Sequence, residues 1–337
     1  MISIVICSRN KALLELVTNN IRESIGVPYE LIVINNDANR YSISSAYNKG
    51  VRQSKYDIIC FAHEDILFIS KDWGKMVVNH FANTTVGMIG VSGGKAQADV
   101  PSAWWHHNLF AKSAINLVMT SQNGDAGGKQ QFHYINRSTS ANKEEVVIID
   151  GLWFCIRKEL FNVISFDEKT FKGFHLYDAD ISLQVGAFAK RFIVFDIVIE
   201  HSYSGKISKD YYTDMIRFID KWKTDLPQMS DDLNSDYLRM TSWYMLRSFI
   251  LDMVSQNISK IFIEDIKKKY VKQLRQKNFS VWHTMFFKLA SIIGYQNANS
   301  FYFRIEKFMG LTKAPGFSKI KIISKDPIYE KESTSCY

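Results

Sequence analysis

The sequence predicts an α/β fold, a mixed, mostly parallel sheet flanked by helices, with a helical region appended at its C-terminal end. Three observations carry that expectation. Up to about Gly205, short β-branched runs alternate with stretches of helical period, the pattern of βαβ units. Each of the first three runs ends in polar residues, and in an open parallel sheet ligands collect at the carboxyl ends of the strands. From Ser208 to about Gly310 the apolar residues recur at helical spacing.

Taken in order, Ile2 to Cys7 reads as a first, central strand, followed by Ser8-Arg9-Asn10 and the helical pattern Leu13, Leu14, Leu16, Val17, Ile21. Tyr29 to Asn35 is a second strand, ending in Asn35-Asn36-Asp37, and Ser44 to Gln53 a helix with Gly50 near its end. Ile58 to Ala62 has the length and branching of a buried strand. Asp72 to Ala82 reads as a helix and Val86 to Val91 as a fourth strand. Ser92 to Glu145 holds Gly93-Gly94, Trp104-Trp105 and Gly127-Gly128 with no sustained period, and reads as a long functional connection. Regular structure resumes with Val146 to Asp150 and Gly151 to Arg157. A helix starts near Asp178, where acidic residues suit its first turn, and a strand pair spans Phe192 to Phe195 and Ile197 to Glu200. The C-terminal helical segments centre on Tyr211–Trp222, Tyr237–Val254, Ile263–Lys277 and Trp282–Ile293.

The bulk properties bound the function. Hydrophobic residues make up 46% of the 337, which supports a substantial core. The four cysteines (Cys7, Cys60, Cys155, Cys336) are far apart, and three lie in apolar strand-like runs. That usage fits buried thiols in a reducing compartment and argues against a disulfide scaffold or structural zinc. Met1 runs straight into a strand without a basic leader, and no apolar run has the length of a membrane-spanning helix, so a cytoplasmic protein is expected. The net charge of +8 is unevenly placed. From Lys206 onward there are 22 basic against 14 acidic residues, whereas the preceding 205 residues balance at 20 of each. The charge break divides the chain into residues 1–205 and a basic, mostly helical region, 206–337, that points to an anionic partner.

The third strand ends abruptly in His63-Glu64-Asp65. In extended geometry His63 and Asp65 share one side and Glu64 faces the other, so that side could hold a metal ion or a polar ligand. On these residues alone a strand end with solvated charges is an equal reading. Asp178 and Asp180 by themselves read as helix-start acids. Trp104 and Trp105 could form a stacking platform for a sugar or anchor their loop on the core.

The order of motifs resembles the inverting, family-2-like glycosyltransferases with the GT-A fold. The matching pieces are Ile4-Val5-Ile6-Cys7-Ser8-Arg9-Asn10, Val33-Ile34-Asn35-Asn36-Asp37, Ala46-Tyr47-Asn48-Lys49-Gly50 and Phe61-Ala62-His63-Glu64-Asp65. Asp150-Gly151, Phe166-Asp167-Glu168, Gly173 to Asp180 and His201 follow. The nearest branch is bacterial, with a His-Glu-Asp metal motif and a Gly-Phe-His-x-Tyr-Asp motif.

What the resemblance implies follows residue by residue. Asp65 matches the acid that holds a divalent metal on the donor's diphosphate, and His201 a histidine that supplies a second ligand. Asp178 matches the catalytic base. Ser8, Arg9, Asn36 and Asp37 match positions lining the nucleotide, where His63 also contacts donor or ribose. Asp150 and Gly151 match the stretch near donor sugar and acceptor; Trp104 and Trp105 are not among the matched positions and keep the two readings given above. The implied cofactor is Mn²⁺ or Mg²⁺. The implied partners are a nucleotide-diphospho-sugar donor, expected to be UDP-linked, and a glycan or lipid-linked acceptor in bacterial surface polysaccharide synthesis; no nucleic acid is expected.

Inverting transfer needs these residue types in any case. A carboxylate takes the acceptor hydroxyl's proton, and a cation neutralises the departing diphosphate. Three positions depart from the family pattern. His63 stands where the metal motif has its first Asp, Tyr177 where a Glu commonly precedes the base, and Gln184 where a basic residue is frequent.

The basic C-terminal region could dock on the anionic inner face of a membrane, since Lys267-Lys268-Lys269, Lys272, Arg275 and Lys277 alternate with apolar residues ahead of Trp282, Phe286 and Phe287. It reads equally as a helical appendage with a solvated face. Two other functions compete with transfer. A nucleotidyltransferase would carry a Gly-rich loop after the first strand, where Ser8-Arg9-Asn10-Lys11 has no glycine. A non-catalytic nucleotide-sugar or glycan-binding module would bind donor without turnover.

Overall fold

A computed structural model describes residues 1–106, 113–121, 130–202, 208–233, 235–277, 279–309 and 320–322. Cys336 and Gly127-Gly128 lie outside the described residues. The chain divides into two compact units. The first comprises Met1–Gly94, Ser113–Lys206 and a C-terminal strand, the second Lys95–Lys112 and Ile207–Gly316.

The first unit opens with β1 (Ile2–Ser8), α1 (Lys11–Ser24), β2 (Tyr29–Asn35), α2 (Ile43–Gln53) and β3 (Ile58–Ala62). These follow the predicted runs because β1 and β3 are buried along their whole length, which only a continuous apolar run tolerates. After β4 (Ile66–Phe68) and α3 (Trp73–Phe81) come β5 (Val86–Gly90) and β6 (Ser92–Gly94). β7 (Ala96–Gln97) belongs to the second unit. The chain continues through β8 (Ser113–Ser121), β9 (Gln130–Asn136), β10 (Lys143–Glu145), β11 (Ile148–Ile149) and β12 (Trp153–Arg157). A 3₁₀ turn (Lys158–Asn162), α4 (Tyr177–Gly186), β13 (Lys190–Val194) and β14 (Ile199–Ser202) complete this part.

The main sheet has the order β10-β13-β5-β12-β3-β1-β2. β12 and β10 run against the other five strands, so the sheet is mixed and mostly parallel, as predicted. α2 packs closely on it. A side-chain carbon at Gly50 would lie 2.3 Å from Val5 Cγ1, so only glycine allows the approach. On the same face Tyr47 makes ring contacts with Phe61, Phe154, Phe166 and Tyr177 at centroid distances of 4.8 to 6.2 Å. This aromatic core supports the start of α4. Cys7, Cys60 and Cys155 are free and buried.

A second sheet, β11-β6-β8-β14-β4 with β9 beside β8, corrects two expectations. The stretch from Ser92 to Glu145 is not one aperiodic connection but supplies several strands of this sheet and an edge of the main one. Several of its strands, β4, β6 and β11 among them, are only two or three residues long, too short to show the alternation that betrays a strand. The expected strand pair β13–β14 does not form either; β13 joins β5 and β10, and β14 joins β4 and β8.

The second unit holds α5 (Lys209–Lys221), β15 (Gln228–Met229), α6 (Ser235–Ser255), α7 (Lys260–Lys277), α8 (Val281–Ile293) and α9 (Tyr295–Phe308). β16 (Ile320–Ile322) returns to pair with β9. Inside the helical unit the buried Arg247 guanidinium donates to Glu306 Oε1 at 2.8 Å and to Asn299 Oδ1 at 2.6 and 2.9 Å. Among the described residues no helix is long and apolar enough to cross a membrane.

Candidate active site

The site is assembled at the carboxyl ends of β1 and β3, where the sheet's geometry leaves a crevice. After β3 the chain turns, and the His63 amide is held by the Leu152 carbonyl of the neighbouring segment at 2.9 Å. The alternation expected for 63–65 is realised in the side chains. Glu64 turns back to the loop after β1, accepting from Ser8 Oγ at 2.7 Å and from the backbone amides of Arg9 and Asn10 at 3.1 and 3.0 Å. Asn10 in turn caps α1 through the amides of Ala12 and Leu13.

His63 and Asp65 face the other way and meet His201. The antiparallel register of β14 on β4 sets His201 opposite Ile66, and the Ser202 amide bonds the Asp65 carbonyl at 3.1 Å. His201 Nε2 lies 3.3 Å from Asp65 Oδ2 and His63 Nδ1 3.9 Å from Asp65 Oδ1. One donor atom from each of the three falls within 4.8 Å of the others. That span is about twice a metal–ligand bond of roughly 2.1 Å, so the donors can converge on one ion. Burial alone would raise the Asp65 carboxyl, but hydrogen bonding and charge from His201, with the His63 charge, hold it below the usual range. Burial pushes the His63 imidazole down against the pull of Asp65. Both groups therefore favour the ionised carboxylate and neutral imidazole that ligation requires. His201 is raised instead, since the Asp65 hydrogen bond and charge outweigh its burial. Losing that proton to a cation is the cost of recruiting it. The donor set fits a divalent metal.

Asp178 stands in the first turn of α4, just after Leu176 enters the left-handed region at φ 61°. Its Oδ2 accepts from the Gly151 amide at 2.9 Å. Burial, then the charge of Asp150, pushes the carboxyl up to about 7, where a general base works best. Asp150 also acts electrostatically on His63 and His201, so it belongs to the same charge cluster. Asp180 is buried and accepts from Gln184 Nε2 at 2.8 Å, a brace within the helix.

The remaining positions are placed as follows. Ser8 is buried against Glu64, and the exposed Arg9 lies over the Phe174 ring at 5.1 Å. Asn36 is fully buried, its amide bonding both the amide and carbonyl of Tyr41, so it shapes the loop after β2 from within. Asp37 is exposed beside Asn35. Trp104 and Trp105 belong to the second unit, where Trp105 stacks on Tyr211 at 5.9 Å and Trp104 packs edge-on against Trp105.

A model described as a glycosyltransferase-like family matches residues 3–217, which takes in every site residue just described. The chain belongs to this glycosyltransferase-like family. No curated protein matches it at the level of sequence. Among solved structures it is similar to GalNAc-T7 with UDP, GalNAc and Mn²⁺, at 10% identity and a TM-score of 0.44, over 82% of this chain and 58% of that one. It is also similar to the mannosyltransferase PcManGT from Pyrobaculum calidifontis in complex with GDP-Man and Mn²⁺, at 12% identity and a TM-score of 0.45, over 88% and 86% of the two chains.

For a glycosyltransferase-like protein, sequence reasoning had set His63 aside as a donor contact, and the structure brings it beside Asp65 and His201. The signal was the shared side of His63 and Asp65. The roles of Glu64 and Tyr177 were not legible, because each acts on residues distant in sequence.

Proposed function

We propose that this glycosyltransferase transfers a sugar from a nucleoside-diphosphate donor, UDP-linked, to a hydroxyl of a glycan or lipid-linked acceptor, with inversion. The observation that carries the reading is a chain of contacts joining the candidate base to the candidate metal ligands. Asp178 Oδ2 accepts from the Gly151 amide, Tyr177 Oη donates to the Gly151 carbonyl at 3.1 Å, and His63 Nε2 lies 2.8 Å from Tyr177 Oη. A base and a cation site held in one rigid frame are what displacement at an anomeric carbon requires.

In this reading Asp178 takes the proton of the acceptor hydroxyl as that oxygen bonds to the anomeric carbon and the bond to the diphosphate breaks. Asp65 and His201, with His63, would hold Mn²⁺ or Mg²⁺, which when bound supplies positive charge to the departing diphosphate. The Ser8-Arg9 loop, fixed by Glu64, and the Asn36-Asp37 loop frame the nucleotide. Asp150 and Gly151 line the sugar side; within the second unit, Trp104 and Trp105 offer aromatic faces of the kind on which a glycan stacks.

The setting we assign is surface polysaccharide assembly at the cytoplasmic face of a bacterial membrane. A groove of about 740 Å³ in the helical unit supports it, lined by Lys267, Lys268, Lys272, Arg275 and Lys288 beside Phe279. Among the described residues Lys268, Lys272 and Lys288 have no carboxylate partner, and Val281, Met285 and Ile292 lie exposed along α8. Cations beside exposed apolar side chains suit an anionic bilayer surface.

A screen of nucleoside diphosphates and their sugars for thermal stabilisation, with and without Mn²⁺, tests the core reading. Metal-dependent stabilisation by one nucleotide that disappears in Asp65→Ala supports it. Absence of stabilisation by every nucleotide rejects it.

A further inference from the structure

Two of the three positions that depart from the family pattern touch each other. His63 replaces the first acid of the metal motif and Tyr177 the acid before the base, and His63 Nε2 sits 2.8 Å from Tyr177 Oη. The same hydroxyl lies 3.1 Å from the Gly151 carbonyl oxygen. A carbonyl only accepts, and a phenol has one proton to give. With that proton on the Gly151 carbonyl, the Tyr177 oxygen can only accept from the imidazole, which puts the ring proton on Nε2.

The opposite tautomer fails on both sides of the ring. Nε2 and the Gly151 carbonyl would then compete for one phenolic proton, leaving a buried acceptor without a donor. Nδ1 would carry a proton toward Asp65 Oδ1, which at 3.9 Å is beyond hydrogen-bond reach.

The tyrosine is built in rather than swung in. A side-chain carbon at Gly151 would lie 2.2 Å from Tyr177 Oη, so glycine makes room for the hydroxyl. The Tyr177 ring packs edge-on against the fully buried Tyr47 at 5.7 Å. Leu176, in the left-handed region, turns the chain so that Tyr177 enters this pocket as the first residue of α4.

We propose that Tyr177 is a positioning residue for a metal ligand: its hydroxyl fixes the Nε2–H tautomer of His63, so that Nδ1 joins Asp65 and His201 as a third donor. The inference rests on the metal-dependent reading above and deepens it. A set of two imidazoles and one carboxylate prefers Mn²⁺ over Mg²⁺, because Mg²⁺ favours oxygen donors.

Two measurements on the full chain test this. The first is ¹⁵N NMR of the metal-free wild-type protein at pH 8, with His63 assigned by its loss in His63→Gln; the expected state is a protonated Nε2 and a bare Nδ1. The second is Mn²⁺ binding followed by the EPR signal of the free ion, in wild type and Tyr177→Phe. Removing such an outer hydrogen bond weakens metal binding by roughly 10–100-fold, and the retained phenyl ring should keep the unfolding midpoint close to that of wild type. A wild-type His63 protonated on Nδ1 overturns the inference even if the variant fails to fold. Wild-type Mn²⁺ binding left unchanged in a folded Tyr177→Phe overturns it while leaving the metal-dependent function standing. No Mn²⁺ binding by wild type overturns that function, and the inference with it.

Discussion

The Asp178 carboxylate accepts a 2.9 Å hydrogen bond from the Gly151 amide, which ties the first turn of α4 to the segment leading into β12. The amides of Ala179 and of Asp178 itself also bond the carboxylate, so the group is held in place by the backbone. Replacing Asp178 with Asn preserves size and removes the base. Sugar transfer, measured as nucleoside diphosphate released per unit time, should fall by about 10²–10⁴-fold. Nucleotide affinity, measured by calorimetry, should stay within a few-fold of wild type. Near-wild-type turnover in Asp178→Asn would remove the residue from the mechanism.

The same carboxyl links activity and stability to pH in opposite directions. Burial raises its pKa to about 7 in the folded protein, against 3.8 for an ordinary Asp. Between those values the folded state holds a proton that the unfolded state has released, so stability falls as pH rises through this window. Transfer, which needs the ionised base, should rise through about pH 7. In metal-free protein, Asp178→Asn should raise the midpoint of thermal unfolding at pH 8 and have little effect at pH 4. An equal shift at both pH values would deny the carboxyl its raised pKa.

Metal dependence should follow the three donors. Asp65→Ala and His201→Ala each remove one, and Mn²⁺-dependent stabilisation by the bound nucleotide should be lost in both. For wild type, a ligand at 100 times its dissociation constant stabilises by about 2.7 kcal/mol, which a thermal shift resolves easily. Undiminished stabilisation in His201→Ala would leave β14 outside the site.

In the helical unit, Glu306→Ala leaves the Arg247 guanidinium buried without its counter-charge. Breaking a buried pair in this way costs about 3–5 kcal/mol. Chemical denaturation should show a destabilised transition, whereas Glu306→Gln, which still accepts from Arg247, should lose less. Equal stabilities would place the pair in solvent.

The proposed membrane docking should depend on Lys268 and Lys272 of α7 and Lys288 of α8. Charge reversal at Lys268, Lys272 and Lys288 should weaken sedimentation with anionic vesicles, by about 1 kcal/mol for each cation lost near the surface. Raising the salt concentration should imitate the effect, because exposed charges are screened beyond about 10 Å at 0.1 M. Binding that is indifferent to both changes would assign the groove another role.

The sequence by itself determined the sheet-forming runs, the helical region and the order of the motifs. Burial on both faces makes β1 and β3 continuous apolar runs, and period and polar strand ends are local properties. It also placed His63 and Asp65 on one side through simple alternation. Only the tertiary structure decided what those residues meet. The register of β14 on β4 brings His201 within 3.3 Å of Asp65 across 136 positions of chain, and no local pattern encodes a register between distant strands. The close approach of Tyr177 to Gly151 and His63 likewise depends on three segments packing at once. The second sheet is not legible in the sequence for a related reason. Its strands draw their hydrogen bonds from distant partners, so their stability is not written in their own hydrophobic period.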